Sequence, residues 1–291
     1  MKIALIQETD HGGRNENLQA CEEAIRTASA QDAQLVLLQE LHNSAYFCQV
    51  EDPKHFELAE SIPGPTTARL GALARELGVV IVGSLFERRA PGLYHNTAVV
   101  LDHDGRLAGL YRKMHIPEDP GYHEKFYFTP GDLGFTPIDT AVGRLGVLVC
   151  WDQWYPEAAR LMALAGAEIL LYPTAIGWDP NDAPDEQQRQ REAWVGIQRG
   201  HAIANAIPVA ACNRVGFEPD PSGATAGARF WGHSFVVGPQ GETLAQAGDQ
   251  EPHILYARIE PRRTEQVRRL WPFLRDRRID AYSELTCRYR S

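Results

Sequence analysis

Two short, near-continuous apolar runs constrain this chain first: Gln34–Glu40 (QLVLLQE) and Leu145–Trp151 (LGVLVCW). Each has strand length and no polar side chain along its middle, the pattern of a strand covered on both faces. Such a sheet needs helices or a second sheet against each side. Segments of helical spacing are available to supply them. Asn15–Ala30 puts Leu18, Cys21, Ala24, Ile25 and Ala28 on one face, and Thr66–Leu77, Pro156–Ala165 and Glu186–Ala206 follow as further helices. Additional strands are predicted at Ile3–Gln7, Val79–Phe86, His95–Leu101, Leu107–Arg112, Ile169–Pro173, Pro208–Asn213, Gly232–Val237 and Ile254–Ile259.

The same order of strand, polar tip, helix, strand, helix, strand and hairpin occurs in both halves, with QLVLLQE and LGVLVCW in equivalent places. Internal duplication and two β-rich layers of similar grammar both account for it. No Gly-, Ser- or Pro-rich linker interrupts the middle, so residues 1–260 are expected to form one α/β domain of two mixed sheets covered by helices. Residues 261–291 differ. Seven arginines between Arg262 and Arg278 surround Leu270-Trp271-Pro272-Phe273-Leu274. This tail is expected to pack its apolar centre on the same domain or on a neighbouring subunit.

Charge and cysteine usage narrow the function classes. With 29 Lys+Arg against 38 Asp+Glu in 291 residues, the net charge of −9 argues against nucleic acid or an anionic membrane surface as partner. No run approaches the roughly 18 apolar residues of a membrane span. The five cysteines (Cys21, Cys48, Cys150, Cys212, Cys287) show no CxxC spacing and no HExxH accompanies them, so neither a zinc site nor a disulfide framework is expected. The expected compartment is the reducing cytoplasm.

Three polar residues stand where core strands end: Glu40 after LVLLQ, Lys113 after Leu110-Tyr111-Arg112, and Cys150 after LGVLV. Ligands in α/β sheets bind beyond strand ends. A carboxylate, an amine and a thiol that converge there can serve as base, electrostatic stabiliser and nucleophile. Taken singly, each also reads as a solvated tip or a small buried residue.

The segments LVLLQEL (35–41), YRKMHIPEDPGYHEKFYFTPGD (111–132) and GVLVCWDQWYPEAAR (146–160) resemble the three signature blocks of the nitrilase, or carbon–nitrogen hydrolase, superfamily. The resemblance covers nearly the whole chain. It implies a four-layer αββα sandwich, a Glu-Lys-Cys triad at Glu40, Lys113 and Cys150, a second glutamate at Glu124 (with Glu118 as competitor), no metal or other cofactor, and homo-oligomers built from dimers. Within the superfamily, the 111–128 stretch, PTAIGWDP (173–180) and LWPFLRDRRIDAYSEL most resemble the branch that hydrolyses N-carbamoylputrescine. That substrate is a small cationic carbamoyl amine; β-ureidopropionase-like or other amide hydrolysis is the alternative. Its ammonium calls for anionic or aromatic partners. Asp179, which stands where the branch is expected to carry glutamate, is the first candidate, with Tyr46, Trp151, His123 and Glu118 as further pocket residues. Glu118, Asp119, Asp152 and Asp179 are expected to surround the substrate. His115, His123, His201 and His233 read as structural or pocket-lining rather than as partners of the thiol.

Overall fold

The computed structural model describes residues 1–179 and 181–290; Pro180, at the end of PTAIGWDP, and Ser291 lie outside them. In chain order the strands are β1 (Lys2–Gln7), β2 (Leu35–Leu38), β3 (Val80–Ala90), β4 (Leu93–Leu101), β5 (Leu107–Arg112), β6 (Ile138–Thr140), β7 (Gly143–Val147), β8 (Ile169–Thr174), β9 (Gly177–Trp178), β10 (Val209–Asn213), β11 (Val215–Glu218), β12 (Ala228–Trp231), β13 (Phe235–Val237), β14 (Thr243–Gln246) and β15 (His253–Arg258). They form two six-stranded mixed sheets, ordered β15-β1-β2-β3-β4-β5 and β14-β13-β10-β8-β7-β6, and a small third sheet, β11-β12-β9. The helices are α1 (Arg14–Ala30), α2 (Pro65–Leu77), α3 (Glu124–Tyr127), α4 (Pro156–Leu164), α5 (Pro184–Asn205) and α6 (Pro261–Leu270).

The apolar runs are continuous because alternate residues serve two different cores. Ile3, Leu5, Leu35, Leu37, Val80 and Val82 pack with Leu145, Val147 and Leu170 of the other sheet. Their neighbours Ala4, Ile6, Val36, Leu38 and Ile81 pack instead against Cys21, Ile25, Ala28, Leu70 and Leu73 of α1 and α2. Side chains that alternate across a strand therefore find apolar surroundings on both sides.

The two halves share one plan. In each sheet three parallel strands (β1, β2, β3; β7, β8, β10) are followed by two antiparallel ones, and helices join the parallel members. The last strand of each half crosses over: β6 pairs with β7, and β15 pairs with β1. This corrects the equivalence read from sequence. LGVLVCW holds the place of β1, while QLVLLQE corresponds to β8 (ILLYPT). The two runs look alike because both are covered on two faces, not because they occupy the same slot.

LGVLVCW is also shorter as a strand than its apolar length predicts. Pairing stops at Val147, and Cys150–Trp154 is a 3-10 turn. The buried Asp152 carboxylate bends the chain there by accepting hydrogen bonds from Val149 N (2.9 Å), Tyr111 Oη (2.9 Å) and His115 N (3.0 Å). Among the tail residues, Val267 is buried, whereas Leu270, Ile279, Leu285 and Tyr289 are exposed.

Candidate active site

The four expected polar residues meet where the sheets adjoin. Glu40 lies just beyond β2, and its N–H donates to Thr174 O at the end of β8 (3.3 Å), tying one sheet to the other. Lys113 directly follows β5; its N–H donates to Asn96 O and its carbonyl accepts from Gly131 N. Glu124 opens α3. Cys150 starts its 3-10 turn at φ +42°, in the left-handed region that β-carbon-bearing residues rarely occupy. Residues held in such sparsely populated conformations cluster at functional sites.

Lys113 Nζ donates to Glu40 Oε1 (2.8 Å) and to Glu124 Oε2 (2.6 Å), and all three side chains are shielded from solvent. Glu124 Oε1 accepts from Tyr46 Oη (2.8 Å). Glu40 Oε1 also accepts from Asn96 Nδ2 (2.7 Å), whose own oxygen accepts from Ser84 Oγ (2.8 Å). The other carboxylate oxygen, Glu40 Oε2, has no hydrogen-bond partner among the described residues. Cys150 Sγ lies 3.8 Å from Ala175 O.

The electrostatics follow from burial and crowding. Burial works against the Lys113 ammonium, but Glu124 and Glu40 outweigh it and hold the amine well above the lysine range. Burial pushes the Glu124 carboxyl up to about 7, with Glu40 adding to the rise and Lys113 opposing it. Burial, then Glu40, push the Cys150 thiol well above its usual range, and the Lys113 ammonium only partly offsets them. A thiol pushed up in this way keeps its proton, so a nucleophilic role would need a neighbouring carboxylate to take it.

The acidic residues expected around the substrate divide. Asp152 is buried in the turn just described and does not offer a free carboxylate to a ligand. Asp179 is exposed, and its Oδ1 accepts from Asn181 N (2.8 Å) and Nδ2 (3.0 Å), so it acts as a turn-forming residue; among the described residues no hydrogen bond links it to the buried cluster. Asp119 is exposed, and its backbone pairs with Tyr122. Glu118 pairs with His123 Nδ1 (2.8 Å) and accepts from Lys125 N (3.3 Å), next to Glu124 in the chain. Ligand-type atoms of Glu51, Glu118 and His123 all lie within 4.8 Å of one another.

The histidines have partners of their own. His115 pairs with Asp152 (2.7 Å) and stacks on Tyr155 at 3.7 Å, His201 pairs with Gln153 O (2.7 Å), and His233 pairs with Arg191 (2.8 Å). Trp151 packs edge-on against Trp154, with ring centroids 6.3 Å apart. Two tyrosines wall the cluster: Tyr46 and Tyr122 rings lie 5.5 Å apart, and Tyr122 Oη accepts from Gly177 N (2.9 Å).

Asn96, Ser84, Tyr122 and Arg214 were not singled out from sequence. Asn96 had a legible signal, since a polar amide inside the apolar strand HNTAVV is costly to bury unless it is fully hydrogen-bonded. Arg214, like Glu40, closes an apolar strand (VAACNR), a place that marks a strand end but not the partners it meets there.

Residues 2–269 match the carbon–nitrogen hydrolase family. The chain is 45% identical to N-carbamoylputrescine amidase of Solanum lycopersicum over 271 residues, 92% of this chain and 89% of that one. It is 40% identical to a citrullinase of Francisella tularensis over 290 residues, 99% of each chain. Its fold matches the crystal structure of a carbon–nitrogen hydrolase from Helicobacter pylori with a TM-score of 0.97 and 56% identity, covering 100% of this chain and 99% of that one. This chain belongs to the carbon–nitrogen hydrolase family and is a hydrolase acting on amides.

Proposed function

We propose that the chain hydrolyses N-carbamoylputrescine to putrescine, carbon dioxide and ammonia, and so acts in putrescine formation. The observation that carries the mechanism is the buried Glu40–Lys113–Glu124 cluster, which leaves one Glu40 oxygen unpaired, while burial and Glu40 push the Cys150 thiol up. Cys150 Sγ attacks the ureido carbon while Glu40 takes the thiol proton. The oxygen gains negative charge, stabilised by Lys113 Nζ and the Trp151 N–H at the start of the 3-10 turn. The C–N bond to the terminal amide breaks, Glu40 returns the proton, and ammonia leaves an S-(alkylcarbamoyl) enzyme. Glu40 then draws a proton from water, the hydroxide attacks the thiocarbamate carbon, the C–S bond breaks, and Glu40 returns its proton to the Cys150 sulfur. The released alkylcarbamate loses carbon dioxide to give the amine. Glu124 holds Lys113 in place, and Tyr46 holds Glu124. No metal or other cofactor enters this sequence.

Substrate choice rests on the relatives named N-carbamoylputrescine amidase and on the acidic surroundings of Glu124. Glu118, with Glu51 close by, offers the substrate ammonium negative charge; the exposed, turn-bound Asp179 is the weaker candidate. The citrullinase relative supports a second reading, in which the ureido compound carries an amino-acid end. Ammonia release from N-carbamoylputrescine, citrulline, N-carbamoyl-β-alanine and simple aliphatic amides separates the readings. The highest kcat/KM is expected for N-carbamoylputrescine, and a preference for any other member of the panel overturns the assignment. Exposed Leu161, Leu164 and Ile203 on α4 and α5, with Leu270, Trp271 and Leu285 in the tail, support self-association; light scattering is expected to report at least a dimer.

A further inference from the structure

Behind the reacting groups lies a second buried charge pair that no step above uses. Arg214, between β10 and β11, is fully buried, and its Nη1 donates to Glu218 Oε1 (2.6 Å). Its Nη2 donates to the carbonyls of Glu40 (3.1 Å), Leu41 (3.0 Å) and Ser44 (3.0 Å). These carbonyls belong to the segment that carries the general base. Within it Leu41 sits at φ +51°, a conformation a bulky residue keeps only when its surroundings enforce it. The other oxygen of Glu218 accepts from Tyr46 N (2.7 Å). Tyr46 Oη in turn holds Glu124, and Glu124 holds Lys113.

One ion pair thus reaches the reacting groups by two routes. Arg214 grips the backbone of Glu40, and Glu218 grips the backbone of the tyrosine that orients the Lys113 partner. A guanidinium suits this task because its planar fork can meet a carboxylate on one edge and carbonyls on another, whereas an ammonium is a single point. Burying the pair is costly, and simpler packing would close the same space.

We propose that Arg214 and Glu218 are positioning residues for this hydrolysis: together they fix the Glu40 carboxylate and, through Tyr46 and Glu124, the Lys113 ammonium in register with Cys150. This inference rests on the Cys150–Glu40–Lys113 reading above. A displacement of about 1 Å at a reacting group costs roughly 10²-fold in rate. Arg214→Lys keeps the charge but cannot span both edges, and Glu218→Gln keeps an acceptor for the Tyr46 N–H without the charge.

Both variants are compared with the parent protein by circular dichroism, kcat and KM, the pH profile of kcat/KM, and the rate of Cys150 alkylation by iodoacetamide. A positioning role lowers kcat roughly 10²-fold with little change in KM, slows alkylation and displaces the acid limb of the profile. A merely structural role lowers thermal stability and leaves kcat per folded molecule and the acid limb unchanged; that result overturns the proposal. Where Arg214→Lys does not fold, Glu218→Gln carries the test. Absence of Cys150 alkylation in the parent protein defeats the nucleophile assignment itself, whereas equal alkylation in parent and variants defeats only the positioning role.

Discussion

Replacing Lys113 by methionine is the most informative single perturbation, because the side chain stays unbranched, only one atom shorter, and loses its charge. Nζ stands 2.8 Å from one buried carboxylate and 2.6 Å from another. At an effective dielectric near 20, a pair at such a distance is worth about 6 kcal/mol before desolvation is counted. Removing one partner from a buried pair costs roughly 3–5 kcal/mol. At about 2–4 °C per kcal/mol for larger domains, Tm should fall on the order of 10 °C. Loss of an oxyanion donor should lower kcat roughly 10²–10³-fold. The pH dependence provides a sharper check. Without the ammonium, burial and Glu40 act on Glu124 with the Tyr46 hydrogen bond still opposing them, and its carboxyl rises further above the value of about 7 it has beside Lys113. A carboxyl whose folded value exceeds its unfolded one binds more protons in the fold. Stability is then kept at low pH and lost as pH rises through the interval between the two values. The Tm gap between Lys113→Met and the parent protein should therefore narrow from pH 8 to pH 6. Differential scanning fluorimetry across that range, with ammonia-release kinetics, tests the reasoning. A variant as stable as the parent at pH 8, with kcat within about threefold, would refute it.

Other expectations follow from the same geometry. Cys150→Ser should fold normally and lose roughly 10⁴-fold or more in kcat; near-parental turnover would exclude the thiol as nucleophile. The parent pH profile of kcat/KM should fall on the acid side near pH 7 as Glu124 gains its proton and loosens its hold on Lys113, and Glu124→Gln should remove that limb while lowering the plateau. Asp179→Asn should leave KM for N-carbamoylputrescine within about twofold, because asparagine preserves the turn made by Oδ1. A large KM increase would return Asp179 to the role of ammonium partner.

Much of the scaffold was legible because its strands obey one physical rule. Residues such as Leu35–Leu38 are apolar at every position since one face meets the opposite sheet and the other meets α1 and α2. The helices at Asn15–Ala30 and Glu186–Ala206 were visible from spacing to within two residues at each end. The small sheet of β9, β11 and β12 was not. Its two-to-four-residue strands carry no sustained alternation, and their pairing depends on contacts distant in the chain. The equivalence of the halves was misplaced by one strand for a related reason: apolar continuity reports burial on two faces, not a strand's order within its sheet.

The site was legible in proportion to how much of its chemistry each residue carries alone. Glu40, Lys113 and Cys150 combine reactive type with a place at a strand end, and the resemblance of the flanking blocks made the three into a set. Asp152 shares that neighbourhood, yet its carboxylate is spent on Val149 N, Tyr111 Oη and His115 N. A sequence records that a charge is present but not what already satisfies it. Arg214 shows the converse: one guanidinium organises three carbonyls some 170 residues away in the chain, and no local pattern can announce a partner set made only by the meeting of two sheets. Candidate reactive groups can thus be read from residue type and place, whereas the groups proposed to hold them in register come together only once the β2 and β10 ends meet. Substitutions at Arg214 and Glu218 are therefore where loss of function would be hardest to foresee from sequence and most directly explained by the structure.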